Sequence, residues 1–411
     1  MTNYPTLLGT GGHSGSPDFD TTNYYATVCL GRNGLIASFE TESFVSQTVR
    51  VAGTISYLSW GIATGLDDAV TLTLNVNSTN SALMVQFLAN TTGWMTDSTH
   101  TVAVASGDAL DFAFVLATDD TTGAGYEVNC ISARFDASAT GTVPSAQLIG
   151  SQGVSTLSES TTLQPTCFLG IVSNGTLSET SQQIYALAAG TWQNMACNIQ
   201  NNTIGPSGGS TSVHNRIGGS NGSMHMSYNH GVSGLMEDTS DDDDISVGDL
   251  VNYGFQCSTS GSGTFEVEWI GAHFLATNAN LCMIGGSPGS KPPTGGPWVI
   301  APSSLPYYTS LFGGGEVGNT EGRATGLFPY ASTASYYTNL LSESDGVATF
   351  TLLKNGSSSG LSVVSSSQTG YFIDTDTVCF DVNDTCANQI AVAETGGSVT
   401  WTSAALLLEA C

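Results

Sequence analysis

One alternating segment occurs three times in this chain, and its spacing constrains the fold more than any other feature. In residues 263–274, β-branched and aromatic residues alternate with polar ones, as in a strand with one buried face. The apolar positions have counterparts at the same spacing earlier and later in the chain: Val267, Trp269, Ala272 and Phe274 match Val128, Cys130, Ala133 and Phe135, and Val399, Trp401, Ala404 and Leu406. Three copies of one strand predict three copies of one domain.

The copies divide the chain into residues 1–137, 138–275 and 276–411, with a Pro/Gly-rich spacer at residues 285–297. Each copy opens on an apolar pair followed by glycine, in which the central residues are Leu8, Ile149 and Ile284. About eight short strands with regular turn signals follow in each copy, and no segment has helical periodicity of useful length. This pattern predicts an all-β fold of three tandem antiparallel β-sandwiches, which we interpret as jelly rolls.

The charge of the chain excludes several classes of partner. It has 34 acidic and 7 basic residues, with a net charge of −27. This charge argues against binding to nucleic-acid backbones or anionic membrane surfaces. No stretch of about 20 apolar residues is present, so we expect no membrane insertion. The N-terminus has no basic segment followed by an apolar one, so we expect no signal peptide.

The nine cysteines do not suggest a disulfide framework. Their number is odd, and their spacings do not repeat cleanly among the copies. We therefore predict that they are small core residues, because a free cysteine behaves as a buried hydrophobe. Cys379 and Cys386 could still pair across neighbouring strands.

Asp97, Asp238 and Asp374 recur at one position of the three copies, four residues after a glycine. They could bind Ca²⁺, or each could be half of a paired-carboxylate site. The other interpretation is that each caps backbone amides of its own turn, as aspartate does. Recurrence favours capping, because a turn that determines the fold must recur in every copy and a catalytic site need not.

The second copy has two further clusters. The run Asp241–Asp244, with Glu237 and Asp238, offers the carboxylate oxygens that Ca²⁺ prefers, but it lacks the spacing of an EF-hand loop. We predict a solvated loop there. His214, His225 and His230 could ligate zinc, but no further ligand stands at standard spacing. We predict that they belong to a polar or receptor-contacting loop.

No catalytic motif occurs in a credible context, so we predict no catalytic, cofactor-binding or metal-binding residues and no enzymatic activity. Adjacent tyrosines could stack on sugars, although two neighbouring residues of a strand point to opposite faces, so one of each pair is expected in the core. These pairs are Tyr24-Tyr25, Tyr307-Tyr308 and Tyr336-Tyr337.

The order of the turn motifs resembles that of jelly-roll modules in the virion proteins of tailed phages, and it is similar in strand order to the tumour-necrosis-factor-like superfamily. The motifs are Asn355-Gly356, the pairs Gly93/Asp97, Gly234/Asp238 and Gly370/Asp374, Gly107-Asp108 and Gly248-Asp249. The resemblance implies a structural protein of the virion surface, such as a capsid decoration, fibre or tail-associated protein, made in the host cytoplasm. Its implied partners are other virion proteins, and a host-surface glycan is a further candidate.

Two other functions remain open. An adhesin that binds a glycan or receptor predicts exposed aromatic side chains in one cleft, and a carbohydrate-active enzyme predicts two carboxylates about 5–10 Å apart in a groove. A structural role predicts conformity among the copies and apolar faces between them. The copies could pack as an intramolecular pseudo-trimer, or three chains could form a homotrimer.

Overall fold

The computed structural model describes most of the chain. The described residues are 5–10, 13–15, 24–26, 28–31, 42, 46–49, 51–64, 67–116, 126–137, 147–166, 170–171, 179–204, 209–278, 281–286, 298–303, 305–312, 317, 321–393 and 397–411. Within them, no helix is both long and apolar enough to cross a membrane.

The first copy forms two facing sheets. Its strands are β1 (Pro5–Thr10), β2 (His13–Gly15), β3 (Tyr24–Ala26), β4 (Cys29–Gly31), β5 (Gln47–Thr48), β6 (Gly53–Thr64), β7 (Val70–Val76), β8 (Thr79–Phe87), β9 (Gly93–Val104), β10 (Ala109–Leu116) and β11 (Tyr126–Ala137). One sheet has the order β4-β1-β11-β6-β9, with β2 also paired to β11. The other has the order β3-β10-β7-β8, with β5 paired to β10.

The second copy also forms two sheets. Its elements are β12 (Gln147–Ser158), β13 (Gln164–Thr166), β14 (Gly170–Ile171), a 3-10 turn (Glu179–Ser181), β15 (Ile184–Tyr185), β16 (Gly190–Asn202), β17 (Ser210–Ile217), β18 (Ser220–Asn229), β19 (Gly234–Ile245), β20 (Leu250–Cys257) and β21 (Thr264–Ala276). The sheet orders are β14-β12-β21-β16-β19 and β13-β20-β17-β18, with β15 paired to β20.

The third copy follows the same plan. Its elements are β22 (Leu281–Gly286), β23 (Trp298–Ile300), β24 (Tyr307–Thr309), α1 (Glu321–Ala324), β25 (Gly326–Leu327), β26 (Ser332–Ser344), β27 (Ala348–Lys354), β28 (Ser357–Val364), β29 (Gly370–Asp374), β30 (Val378–Phe380), β31 (Thr385–Val392) and β32 (Val399–Ala410). The sheet orders are β22-β32-β26-β29 and β24-β31-β27-β28. The predicted spacer begins inside β22, and its residues 287–297 lie outside the described part of the chain.

The closing strands β11, β21 and β32 occupy one position in the three pairs of sheets. Each lies between the opening strand of its copy (β1, β12 or β22) and a long early strand (β6, β16 or β26). The facing sheets also agree, because β10-β7-β8, β20-β17-β18 and β31-β27-β28 run in the same order. The prediction of an all-β protein of antiparallel sandwiches is therefore confirmed.

Within the closing strands, the alignment predicted for the third copy is wrong by two residues. The partners of the equivalent opening residues are Leu8 with Ala133, Ile149 with Ala272, and Ile284 with Leu406. The alignment of the three copies in the sequence predicts Ala404 at this position instead. A displacement of two residues keeps every side chain on its original face, so the alternating pattern cannot reveal it.

Equivalent tight turns precede β10, β20 and β31. In each turn an aspartate side chain accepts a hydrogen bond from the backbone N–H three residues earlier: Asp108 from Ala105 at 2.7 Å, Asp249 from Ser246 at 2.8 Å and Asp384 from Asp381 at 2.7 Å. The preceding residue has a φ of 99° in Gly107 and Gly248 and of 72° in Asn383. Asparagine replaces glycine in the third copy because it tolerates this left-handed conformation.

Two of the closing strands, β21 and β32, are buried on both faces. A strand with one face in a core and one in water alternates between buried and exposed residues. In β32, however, every residue from Val399 to Leu408 is buried, and in β21 every residue from Val267 to Phe274. The second face of these strands is therefore covered by other parts of the chain.

Candidate functional site

Asp97 on β9 lies at the edge of the first sandwich, where the edge strands of its two sheets meet. One carboxylate oxygen accepts the backbone N–H of Met84, on β8 of the facing sheet, at 3.1 Å. The other accepts the backbone N–H groups of Thr99 and His100, both at 3.1 Å. The side chain thus links the two sheets and caps a local bend in its own strand.

The same arrangement recurs in the other copies. Asp238 accepts the backbone N–H of His225 at 2.9 Å and that of Ser240 at 3.1 Å. Asp374 accepts the backbone N–H of Ser362 at 2.7 Å and that of Asp376 at 2.9 Å. The predicted capping of backbone amides is present at all three positions, so the recurrence has a structural reason.

These hydrogen bonds decide the ionisation of Asp97. Burial acts to raise its pKa, but three backbone N–H groups and the His100 side chain stabilise the charged form and lower the pKa to about 2. The pKa of Asp238 is lowered in the same way, against the effect of its burial. Both carboxylates are therefore ionised at neutral pH and act as acceptors.

We expect Asp97→Asn to lower the free energy of unfolding by about 2 kcal/mol at pH 7, which follows from the lowered pKa. Because the folded pKa lies below the unfolded one, this stability is present above pH 4 and is lost as the pH falls towards 2. Urea unfolding of both proteins at pH 7 and pH 2 measures the difference, with Asp242→Asn at an exposed position as the control. A difference as large at pH 2 as at pH 7 would contradict the assignment.

The acidic run of the second copy is not a loop, contrary to the prediction. Asp241–Asp244 lie within β19, where Asp241, Asp242 and Asp244 are exposed and Asp243 is buried. The Asp243 carboxylate accepts hydrogen bonds from the Asn215 side chain at 2.7 Å and from the backbone N–H groups of Ser223 and Met224. It therefore has a structural role, and the exposed members form a solvated edge.

The three histidines of the second copy are also placed differently from the prediction. His214 lies on β17 and His225 on β18, and their rings stack with centroids 5.7 Å apart. His230 follows β18 in a turn and bonds through its ring to the backbone carbonyl of Ile204. Two of the three are thus strand residues, and the structure does not bring the three imidazoles to one point.

His225 instead lies near two carboxylates. One potential ligand atom from each of His225, Asp238 and Asp241 lies within 4.8 Å of the others. His225 and Asp241 are exposed, and Asp238 already accepts four hydrogen bonds from backbone and hydroxyl groups. A transient metal contact is chemically feasible there, but the geometry is that of a turn with an adjacent histidine.

The tyrosine prediction holds for the pair Tyr336 and Tyr337, and the suggested cysteine pairing is wrong. Tyr337 is fully buried and Tyr336 is exposed, as predicted for neighbouring residues of a strand. Tyr24 lies outside the residues whose side chains are described. Cys379 is exposed and Cys386 buried, and both are free thiols, so the suggested pairing is wrong.

An open depression of about 260 Å³ lies over the β8–β9 edge of the first copy. Its lining includes Met84, Met95, Asp97 and His100. A glycoside hydrolase needs two carboxylates in its groove. The described lining contributes one, and backbone N–H groups already occupy it.

Asp111 on β10 is a chemically unusual residue that the sequence analysis did not identify as a candidate. It is fully buried, and burial raises its pKa to about 7, against a hydrogen bond from Ser46 and with the charge of Glu42 adding to the rise. The signal in the sequence is an aspartate inside an otherwise apolar strand, where the second copy has Asn252.

Comparison with known proteins gives no family for this chain. No protein-family model matches it, and no curated protein matches its sequence significantly.

Proposed function

We propose that this protein is a non-enzymatic structural component of a virus-particle surface, in which three tandem jelly-roll modules take the places of three subunits within one chain. The observation that supports the proposal is the burial of the closing strands β21 and β32 on both faces. A module that worked alone would leave the second face of its closing strand in water.

The first and third modules contact each other through buried polar groups. The Ser132 hydroxyl on β11 donates to the backbone carbonyl of Leu327 at 2.7 Å. The backbone N–H of Cys130 donates to the carbonyl of Thr325 at 3.2 Å, and the Cys130 thiol lies 3.1 Å from the Ser310 hydroxyl. Ser132, Cys130 and Ser310 are all buried. Buried hydrogen bonds between modules require a fixed arrangement, because an unpaired buried group is unfavourable.

The third module also contacts the second. The Tyr371 hydroxyl on β29 donates to the backbone carbonyl of Gln183 at 3.3 Å, and its ring lies 5.3 Å from that of Tyr185. One continuous hydrophobic cluster includes residues of the second and third modules together with Cys130 of the first. These contacts support a fixed intramolecular arrangement rather than three independent domains on linkers.

The alternative functions have less support. An adhesin that stacks sugars needs clustered exposed aromatic rings, and Tyr336 is the only strongly exposed aromatic side chain among those described. The repeated aspartates, which an enzyme could use, hold backbone amides instead. Conformity among the copies is what a structural unit requires.

The mass of the purified protein, measured by light scattering, tests the assembly. We expect a monomer of 42.4 kDa, because the module faces that would otherwise join subunits are already covered within the chain. A stable species of three chains would contradict the intramolecular pseudo-trimer and favour a homotrimer.

Two variants test the contact itself. Ser132→Arg places a charge in the buried contact between the first and third modules, and we expect a separate low-temperature unfolding transition in calorimetry. Ser98→Arg, at an exposed position of β9, is the matched control and should unfold like the wild type. Equal behaviour of the two variants would show that β11 is not packed against another module.

The virion assignment needs its own test. Immunogold labelling of particles purified from the source culture should place the protein at regular positions on the particle surface. Purified particles that carry no label would overturn the assignment to a particle, whatever the outcome of the mass measurement.

A further inference from the structure

A buried cluster of oxygen atoms lies on the outer face of a sheet in the first module. Asp111 on β10 is directly opposite Asn75 on β7, so both side chains lie on one face. The Ser46 hydroxyl donates to one carboxylate oxygen of Asp111 at 2.5 Å, and Glu42 and Asn75 also interact with this carboxyl group. Glu42 and Ser46 lie close together, because the backbone N–H of Ser46 donates to the carbonyl of Glu42 at 3.0 Å.

Three oxygen atoms of this cluster are buried and accept no hydrogen bond of normal geometry. They are Oδ1 of Asp111, Oδ1 of Asn75 and Oε1 of Glu42. Asp111 is 0% exposed and Asn75 is 3% exposed, so bulk solvent does not reach these atoms. Among the described residues, no lysine or arginine forms an ion pair with either carboxylate. Buried acceptors of this kind are uncommon in native proteins and require an explanation.

We propose that Asp111, Glu42 and Asn75 bind one hard divalent cation of the Ca²⁺ class. The cation would lie between β10 and Glu42. Ca²⁺ is bound by carboxylate and amide oxygens, and these are the three orphaned atoms. Two carboxylates balance its charge. The Ser46 hydroxyl, on the other oxygen of Asp111, orients that ligand as outer-shell donors do.

The site is specific to the first module. In the registers of the three sheets, Asp111 pairs with Asn75, Asn252 with Arg216 and Ala387 with Leu353. The second module therefore has an amide and an arginine at these positions, and the third has two apolar side chains. Neither set can hold a cation, so the expected stoichiometry is one ion per chain.

The site is also distinct from the exposed His225, Asp238 and Asp241 cluster. That cluster lies on β18 and β19 of the second module, and its buried member is satisfied by backbone N–H groups. Asp241→Asn is therefore a matched control, because it removes an exposed carboxylate from the competing candidate.

The test uses the full-length chain after dialysis against a chelator. Isothermal titration with CaCl₂ at pH 7.5 should show one site per chain, and 1 mM Ca²⁺ should raise the thermal midpoint by about 5 °C relative to chelator. Asp111→Asn and Glu42→Gln should lose both the binding and the shift, and Asp241→Asn should retain them.

Several outcomes would overturn the site. These are a wild-type protein that neither binds nor responds to 1 mM Ca²⁺, an Asp111→Asn protein that binds like the wild type, or binding that is lost in Asp241→Asn. In chelator, Asp111→Asn should melt at a higher temperature than the wild type, because the amide removes an uncompensated buried charge. If Asp111→Asn fails to fold, the half-buried Glu42→Gln substitution decides the question by the same two measurements.

Discussion

Asn339→Ala is expected to lower the free energy of unfolding by about 3 kcal/mol, because it removes the centre of a buried hydrogen-bond network. In the core of the third module, the indole N–H of Trp401 donates to Oδ1 of Asn339 at 3.1 Å, and the Asn388 amide donates to the same oxygen at 3.1 Å. The Tyr337 hydroxyl donates in turn to Asn388. All four side chains are fully buried.

The loss has two parts. Alanine leaves the Trp401 and Asn388 donors without an acceptor, and it also leaves a cavity where the amide was. The other modules have Cys197 and Trp60 at the position of Asn339, so this amide is specific to the third core. Urea unfolding of the full chain, followed by tryptophan fluorescence, measures the change.

A double-mutant cycle with Trp401→Phe separates the hydrogen bond from the cavity. Trp401→Phe removes one donor, so Asn339→Ala should be less destabilising in that background than in the wild type. Additive losses would show that the two side chains do not interact. A loss below about 1 kcal/mol in Asn339→Ala would contradict the network.

Gly190→Ala is expected to destabilise the second module by about 2 kcal/mol through overpacking. A methyl group at Gly190 would lie 2.7 Å from the ring of Phe274 and still closer to the backbone carbonyl of Leu275. Gly53 has the same relation to Phe135 in the first module, so Gly53→Ala should have a similar effect. Backbone and ring are both held by the sheet, and neither can move away freely.

The third module supplies a matched control. Ser332 pairs with Ala410 as Gly190 pairs with Ala276, and Leu408 replaces the phenylalanine. Its Cβ is already accommodated, and its hydroxyl is buried without a partner, so Ser332→Ala should be neutral or slightly stabilising. Thermal unfolding of the three alanine variants measures the contrast. Equal midpoints in all three would show that the glycines are not required by close packing.

The sequence predicted local interactions where these depend on residues close together in the chain. The capping role of Asp97, Asp238 and Asp374 followed from their recurrence after a glycine, and the structure places backbone N–H groups on each. The separation of Tyr336 from Tyr337 followed from the period of a strand. By contrast, Asp241 and His225 were assigned to loops, because a run of charged or polar residues has no apolar alternation to mark its strand.

The pairing between distant strands could be predicted only in part from the sequence. The equivalence of β11, β21 and β32 was visible because their apolar residues repeat. Their register was not, since Ala404 and Leu406 lie on the same face and either could take the place next to Ile284. Asp111 could be noticed only as an aspartate among apolar residues, and its neighbours Glu42 and Asn75 come from segments far apart in the chain.

The sequence by itself determined the all-β class, the three-fold repetition and the turns, because alternation, repeat length and turn chemistry are properties of nearby residues. The tertiary structure alone decided the two-residue register of the third closing strand, the burial of its second face and the meeting of Asp111 with Glu42. These depend on which surfaces of different segments come together. That choice is made by the total burial and hydrogen bonding of the folded chain, and no local pattern encodes it.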